Sequence, residues 1–112
     1  IVVALDGTPL TINYTDTNEI VGYGDYSFEL TNVYPNPFNP STDVSFTLPN
    51  DGYVRLSVYN LQGQEIDVIH DGYQSIGEHT YTWHAENNPS GMYFFRLLSG
   101  THSRSMKAIY VK

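Results

Sequence analysis

The chain has 112 residues, the size of one ordinary domain, with a net charge of −7 and an aromatic content of 14% that includes ten tyrosines. Its lack of cysteine excludes a disulfide framework and a thiolate zinc site, and no apolar run approaches the roughly 18–20 residues of a membrane span. Residues 1–54 carry seven acidic residues and no lysine or arginine, so this surface repels nucleic-acid phosphates and anionic lipid, which excludes nucleic-acid binding and membrane insertion.

Residues 1–33 are predicted to be the end of an upstream cargo region followed by an acidic linker. Strand-like sequence on either side of an Asp-Gly-Thr-Pro turn predicts a β-hairpin over residues 1–15. Residues 16–26 are acidic and contain two glycines that interrupt any strand, which predicts a linker. Because the chain opens in strand-like sequence without a signal peptide, we expect it to be the C-terminal part of a longer protein. Whether the hairpin packs on the module that follows stays open.

Residues 34–40, with the sequence YPNPFNP, form a segment that we call the proline ribbon. Each proline fixes its own φ, favours extended backbone at the residue before it and removes one backbone donor. The segment is therefore predicted to be a stiff, extended ribbon that cannot form an interior strand. Its P-x-x-P spacing also fits ligands of proline-binding domains, but the intervening asparagines and the lack of a flanking base make it a poor one.

Residues 34–112 are predicted to form an all-β module, an antiparallel β-sandwich of about seven strands. Short alternating runs recur at the 8–12-residue spacing typical of a sandwich, and clusters of Gly, Pro, Asn and Asp supply the turns. The predicted strands, the first of which precedes the ribbon, lie near residues 28–33, 42–48, 53–59, 64–70, 79–84, 92–98 and 103–111. The predicted turns lie at residues 49–52, 60–63, 71–72, 87–91 and 100.

Period-2 alternation along these strands identifies the predicted core. Polar residues such as Thr47 and Ser57 fall on the opposite face, which we expect to meet solvent. The predicted core positions are Val44, Phe46, Leu48, Val54, Leu56, Val58, Ile66, Val68, Tyr81, Trp83, Tyr93, Phe95 and Leu97.

The last strand is ambiguous, because Met106, Ala108 and Tyr110 compete with Ile109 and Val111 for the buried face. Apolar residues on both faces predict that the strand is partly covered on each side or that one face meets a partner. If this strand lies at a sheet edge, its unpaired N–H and C=O groups are available for strand addition by a receptor.

No arrangement typical of catalysis or metal binding occurs in the sequence. His70, His79, His84 and His102 are scattered without ligand spacing, so we expect them at exposed strand or turn positions. Ser90 and the other serines lack a recognisable His/Asp arrangement, and no D-x-D-x-D-G calcium loop is present. We therefore predict no catalytic residue, no metal and no cofactor, and hence no enzyme.

The proline ribbon is the first of five motifs that follow one another to the end of the chain. After YPNPFNPST come VYNLQGQEI at 58–66, GEH at 77–79 leading to Trp83, PSGMYFFRL at 89–97 and KAIYVK at 107–112. This series resembles the C-terminal sorting domain, type A, of cargo exported by the type IX secretion system. That domain is a relative of the immunoglobulin-like domain of flagellar hook-capping proteins. One departure is Asn60, which stands where the family commonly has aspartate.

The resemblance implies an immunoglobulin-like sandwich that acts as a non-catalytic secretion signal for the upstream cargo domain. Such domains are recognised by the outer-membrane translocon, and a surface cysteine peptidase of the system commonly removes them. The protein is then expected in the periplasm during transit and afterwards at the cell surface or outside the cell, with cleavage within residues 16–32. The residues implied in translocon recognition are Tyr34, Pro35, Asn36, Pro37, Gly63, Gly91, Tyr93, Lys107 and Lys112.

Two other functions stay open at this point. A carbohydrate-binding module of a secreted enzyme would need an exposed aromatic row, for which Tyr81 and Trp83 are the candidates. Their alternation with Thr80 and Thr82 instead favours a buried position. A structural immunoglobulin-like spacer between surface domains would be indifferent to the C-terminal residues.

Overall fold

The computed structural model describes residues 26–112. Within this range, short runs of alternating apolar and polar residues form seven strands. The predicted hairpin over residues 1–15 and most of the predicted linker lie outside the described residues. The described part contains no helix long and apolar enough to cross a membrane. The strands are β1 (Glu29–Tyr34), β2 (Ser41–Leu48), β3 (Gly52–Tyr59), β4 (Glu65–Gln74), β5 (Gly77–His84), β6 (Gly91–Ser99) and β7 (His102–Tyr110).

The strands form two antiparallel sheets that pack against each other, which confirms the predicted β-sandwich. The three-stranded sheet has the order β1-β2-β5, and the four-stranded sheet has the order β4-β3-β6-β7. The connections from β2 to β3, from β4 to β5 and from β5 to β6 each cross from one sheet to the other. Such crossings are typical of immunoglobulin-like sandwiches. The edges of the sandwich are consequently β1, β5, β4 and β7.

Trp83 of β5 lies at the centre of the core between the sheets. Its ring centroid is 6.0 Å from that of Phe38, 5.2 Å from that of Tyr93 and 5.6 Å from that of Phe95. Its Nε1 donates a hydrogen bond of 2.9 Å to Asp67 Oδ2 on β4, so the one polar atom of the ring is satisfied. Because the side chain is only 2% exposed, its predicted core position is confirmed.

The other predicted core positions on β2, β3 and β6 are also buried. Tyr81 packs against the core from a partly buried position. Phe28, which precedes β1, and Leu30 and Val33 of β1 add further buried side chains. The buried residues that confirm the prediction are Val44, Phe46, Leu48, Val54, Leu56, Val58, Tyr93, Phe95 and Leu97.

Strand β4 continues through the predicted turn at Asp71 and Gly72, so that turn prediction is wrong. Both residues remain paired with β3, Asp71 opposite Arg55 and Gly72 opposite Val54. The carboxylate of Asp71 also accepts hydrogen bonds from Tyr53 and Arg55. Since these cross-strand contacts favour continued pairing, an Asp-Gly pair that suits a turn stays in the strand.

The alternation along β4 also differs from the prediction. Its register against β3 shifts twice, and each shift is a β-bulge that inserts one unpaired residue and changes which residues face inward. Ile66 and Ile69 pack against the core, whereas Val68, a predicted core residue, is 37% exposed. The prediction is therefore wrong for Val68.

Two polar residues that we expected to meet solvent are buried. The Thr47 hydroxyl donates to the Ser27 carbonyl at 2.6 Å, so the segment before β1 covers it. Ser57 lies on the central strand β3 between its cross-strand partners Val68 and Arg96 and is fully buried. On a central strand, neighbours on both sides keep a short side chain away from water.

The bulges in β4 generate a test with a matched control. We expect Ile69→Ala to lower the free energy of unfolding by about 1–3 kcal/mol, because it removes apolar atoms that pack against the core. Val68→Ala, at the adjacent position, should change it by less than about 0.5 kcal/mol. Urea denaturation followed by Trp83 fluorescence measures both. A larger loss of unfolding free energy for Val68→Ala than for Ile69→Ala would contradict the observed orientation of these two side chains.

Candidate recognition surface

The proline ribbon joins β1 to β2 of the three-stranded sheet and pairs with β7, at the outer edge of the four-stranded sheet. Its Phe38 forms a parallel bridge with Tyr110 of β7. Phe38 N donates to Ile109 O at 2.9 Å, and Val111 N donates to Phe38 O at 3.0 Å. The ribbon thus lies at a sheet edge, as expected for a segment in which three prolines remove backbone donors.

Asn36 extends this ladder with its side chain instead of its backbone. Its Nδ2 donates to Lys107 O at 3.2 Å, and its Oδ1 accepts a hydrogen bond from Ile109 N at 3.0 Å. In a regular parallel ladder, the N–H and C=O of residue 36 would make these two bonds. The asparagine amide, which carries one donor group and one carbonyl, replaces that peptide group. Asn36 therefore has a structural role, because its side chain completes the pairing of the ribbon with β7.

Phe38 anchors the ribbon in the core, and sequence analysis did not include it among the candidate site residues. Its ring stacks on Tyr110 at a centroid distance of 5.2 Å and is 2% exposed. The carbonyl of Pro35 accepts a hydrogen bond of 2.7 Å from the buried Thr42 hydroxyl, which fixes the other end of the ribbon. The signal for Phe38 was a single phenylalanine between prolines in an otherwise polar stretch.

The outer edge of β7 is partly occupied by this ribbon. β7 does lie at the edge of its sheet, as strand addition by a receptor would require. The ribbon, however, already binds outward-directed groups of Lys107, Ile109 and Val111. The expectation of unpaired backbone groups is therefore wrong for this half of β7, where a receptor strand would first have to displace the ribbon.

The two faces of β7 have different environments. Ala108 and Tyr110 are buried, whereas Ile109 is 42% exposed and Val111 is 50% exposed. The ambiguity in the sequence therefore resolves into a core face and an apolar face that remains accessible. Lys107 is also exposed on this second side of the strand.

Gly63 and Gly91, two of the candidate site residues, have backbone conformations that L side chains rarely adopt. Their φ angles are +84° and +153°, and no neighbouring atom lies within 4 Å of a Cβ built on either residue. Backbone conformation, and not lack of space, therefore accounts for glycine at these positions.

The turn that contains Gly63 is organised by Asn60. Its Oδ1 accepts hydrogen bonds from the backbone N of Gln62 and of Gln64, both at 3.0 Å. Its backbone carbonyl accepts a third from Gly63 N at 3.0 Å. Because an aspartate oxygen accepts the same bonds, the departure from the family pattern at Asn60 preserves the turn.

Tyr93 is a candidate site residue that the structure places in the core. The residue is 3% exposed, and its hydroxyl donates to the carbonyl of Pro89. Burial, together with the neighbouring Tyr110, raises the pKa of the Tyr93 phenol above its ordinary value of 10.0. A buried ring cannot offer its face to a receptor, so Tyr93 supports the surface from below.

Lys107 and Lys112 carry exposed ammonium groups near the ribbon. Lys112 is held by its backbone N, which donates to Ser90 Oγ at 3.0 Å. Within residues 26–112, neither lysine forms an ion pair with a carboxylate.

All these segments meet at one end of the sandwich, which we call the ribbon end. It consists of the proline ribbon, the turn at 60–64, the loop at 85–90 and residues 110–112, and Ala85 N donates to Pro40 O at 2.9 Å. A cleft of about 270 Å³ separates the turn from the loop. The exposed apolar side chains of the ribbon end and the adjoining strand ends are Tyr34, Leu61, Ile109 and Val111.

The ribbon end and the adjoining part of β7 offer a contact surface of apolar side chains and two ammonium groups. Within residues 26–112, no three His, Asp or Glu side chains are grouped so that they could hold a metal ion. The candidate residues Tyr34 and Lys112 are exposed there and Lys107 is exposed on the adjoining part of β7, whereas Asn36 and Tyr93 hold the surface in shape.

A protein-family model described as a secretion system C-terminal sorting domain matches residues 32–112. No curated protein and no solved structure matches the chain. The matched range includes the whole proline ribbon, strands β2 to β7 and every segment of the ribbon end.

Replacement of Asn36 tests its role as a substitute peptide group. We expect Asn36→Ala to lower the free energy of unfolding by about 1–3 kcal/mol, because it leaves Ile109 N and Lys107 O without their partner. Asn39→Ala is the matched control, since it removes an exposed amide from the same ribbon. Hydrogen exchange should accelerate at the Ile109 amide in the first variant and not in the second. Equal stability of the two variants would contradict this role.

The pKa of Tyr93 generates a second test. Below pH 10 the phenol is neutral in both states, and above it the unfolded chain ionises first, so the stability that this group contributes falls as pH rises. We expect the stability difference between wild type and Tyr93→Phe to decrease between about pH 9 and pH 11, because phenylalanine cannot ionise. Urea denaturation at several pH values measures it. A difference that stays constant with pH would contradict the raised pKa.

Proposed function

This chain belongs to the family of secretion system C-terminal sorting domains, and we propose that it directs an exported bacterial protein through type IX secretion. In this proposal the module is a signal without catalytic activity. The outer-membrane translocon recognises it after its passage into the periplasm, and the cargo joined to its N-terminal side reaches the cell surface or the medium.

The observation that carries the proposal is the meeting of the ribbon motif and the C-terminal motif at the ribbon end. The side chain of Asn36 in the first motif binds the backbone of Lys107 and of Ile109 in the second, which lie 71 and 73 positions later in the chain. A composite surface of this kind supports recognition of the folded module, since a receptor can contact both motifs at once.

Within this surface we assign contact and support to different residues. The proposed contact residues project side chains into solvent: Tyr34, Ile109, Val111, Lys107 and Lys112. The proposed supporting residues fix the backbone or fill the space below it: Pro35, Asn36, Pro37, Phe38, Gly63, Gly91 and Tyr93. Aromatic and aliphatic anchors surrounded by charge are the usual composition of a protein interface.

We propose that the surface cysteine peptidase cleaves within residues 16–27. The range expected from sequence extended to residue 32, but Phe28 and Leu30 are buried in the sandwich and β1 is paired with β2. A protease requires accessible, extended backbone, and cleavage inside a paired strand would first require β1 to detach. A cut upstream of Phe28 separates the cargo and leaves the module folded.

The two rival functions have less support. Trp83 is buried and its Nε1 is bonded to Asp67, so the tryptophan cannot stack on a sugar. A passive spacer gives no reason for exposed apolar residues at one end of the module, or for two lysines nearby that form no ion pair within residues 26–112. The export signal accounts for both features.

A fusion assay tests the proposal. The full 112-residue chain is attached behind a periplasmic reporter in a bacterium that has type IX secretion, and the expected result is reporter outside the cell. Lys107→Gln combined with Lys112→Gln should reduce export at least several-fold, because both ammonium groups face the proposed receptor. Thermal unfolding of the purified variant should stay within a few degrees of wild type, since exposed charges contribute little to stability.

Arg104→Gln is the control for the loss of a positive charge on the same strand. Its guanidinium lies near the opposite end of β7, 3.8 Å from a Glu29 oxygen and 5.6 Å from the Phe28 ring centroid. Normal export of this variant together with impaired export of the lysine variant supports recognition at the ribbon end. A reporter that remains in the periplasm when fused to the wild-type chain would contradict the proposed function.

A further inference from the structure

Edge strands of a β-sheet carry unpaired N–H and C=O groups, and natural proteins block them with bulges, charges or covering segments. In this sandwich β1 and β4 have register shifts, and the proline ribbon covers half of β7. β5 pairs with β2 over eight consecutive residues without any shift. Among the described residues, β5 is therefore the edge that has neither a register shift nor a covering segment along its length.

The register with β2 determines which groups of β5 point away from the sheet. Ala85 N donates to Pro40 O, so position 85 faces β2 in the hydrogen-bonding direction. Because this direction alternates along a strand, Trp83, Tyr81 and His79 also bond toward β2. The outward-directed backbone groups are consequently those of Glu78, Thr80, Thr82 and His84.

The neighbouring strand β4 leaves these groups uncovered. It lies on the same side of the sandwich in the other sheet and contacts β5 through side chains. Asp67 binds Trp83, while His70 and Gln74 bind the Tyr81 hydroxyl. All three contacts involve inward-facing residues of β5, and Thr80 and Thr82 remain exposed.

We propose that β5 pairs antiparallel with β5 of a second copy of this chain and joins two three-stranded sheets into one of six strands. With the two-fold axis at Tyr81, the outward-directed residues fall directly opposite one another: Thr80 opposite Thr82, and Glu78 opposite His84. Each hydrogen-bonded pair exchanges two backbone bonds. The Glu78 carboxylate at one end of β5 thus lies opposite the His84 imidazole of the second copy, and the reverse holds at the other end.

The side chains on this edge favour a copy of the chain over an unrelated strand. Across the axis, Glu78 meets His84 and Thr80 meets Thr82. Both combinations are favourable cross-strand pairs. On the exposed face, Thr80 bonds to Ser45 at 3.0 Å and Thr82 to Asp43 at 2.6 Å, so the threonine side chains are already held in place. A two-fold arrangement of identical patches is also the commonest way in which proteins form dimers.

Self-association of the full 112-residue chain tests the proposal. Sedimentation equilibrium between about 10 μM and 1 mM should reveal a reversible dimer, because an edge pair buries little apolar area and binds weakly. Glu78→Lys should weaken the dimer about tenfold, because it removes the carboxylate that faces the His84 imidazole in both halves of the pair. The double variant with His84→Glu should recover affinity, since it places a lysine opposite a glutamate twice. Glu29→Lys, the same change on the opposite edge of the same sheet, should have no effect.

Backbone probes identify the paired strand. Hydrogen exchange at high concentration should slow at the amides of Glu78, Thr80, Thr82 and His84, while the amide of Tyr81 should keep the same rate. Thr82→Pro should abolish the dimer, because proline removes an outward-directed donor that makes no bond within the described sheet. Circular dichroism checks that this variant folds, and the charge variants serve as the test if it does not.

Three results would overturn the proposal. They are a chain that stays monomeric at 1 mM, a dimer whose affinity is unchanged by Glu78→Lys, and protection of these amides only when a different protein is added. The last result would assign the edge to a strand of that protein instead of a second copy. The export assay does not depend on this edge, so either proposal can fail alone.

Discussion

The pairing of the proline ribbon with β7 is the interaction on which the described structure depends. It joins residues that are 71 and 73 positions apart in the chain. Two bonds come from the backbone of Phe38 and two from the side chain of Asn36. The prolines on either side of Asn36 reduce the number of conformations that the free ribbon can adopt, which lowers the entropic cost of holding it in place.

The same contact connects the surface to the core. Phe38 inserts its ring between Tyr110 of β7 and Trp83 of β5, so one side chain touches residues of both sheets. Trp83 in turn contacts β6 through Tyr93 and Phe95 and β4 through Asp67. Because closely packed interiors transmit small displacements, a shift of the ribbon is coupled to the whole centre of the sandwich. The ribbon is thus part of the fold as much as part of any recognition motif.

Period-2 alternation predicted the strands and most of the core because nearly every strand keeps one face inward over its whole length. The failures in β4 have one physical origin, which is that a single strand does not contain the register of its neighbour. Val68 was assigned to the core because no local residue marks the two bulges that change the phase of β4. Asp71 and Gly72 favour a turn locally, yet their partners on β3 keep them in a strand.

The motifs that form the candidate site could be predicted from the sequence, but which of their residues are exposed and which support the fold could not. Tyr34, Lys107 and Lys112 are exposed, as a contact surface requires, whereas the burial of Tyr93 depends on packing between sheets. The function of Asn36 could not be predicted, because it arises only when β7 lies beside the ribbon. Local residue propensities do not predict contacts between segments so far apart in the chain.

Under the proposed function, this geometry has a consequence for what a receptor detects. Tyr34 precedes β2 in the chain and Ile109 follows β6, and the two belong to different sheets. The segments that carry them are held together at one end of the sandwich only after the ribbon has docked on β7. A receptor that contacts both therefore binds the folded module far better than an unfolded chain, since the unfolded chain would have to supply the ordering entropy of the sandwich from binding energy. Recognition at the ribbon end couples export to completed folding without any further device.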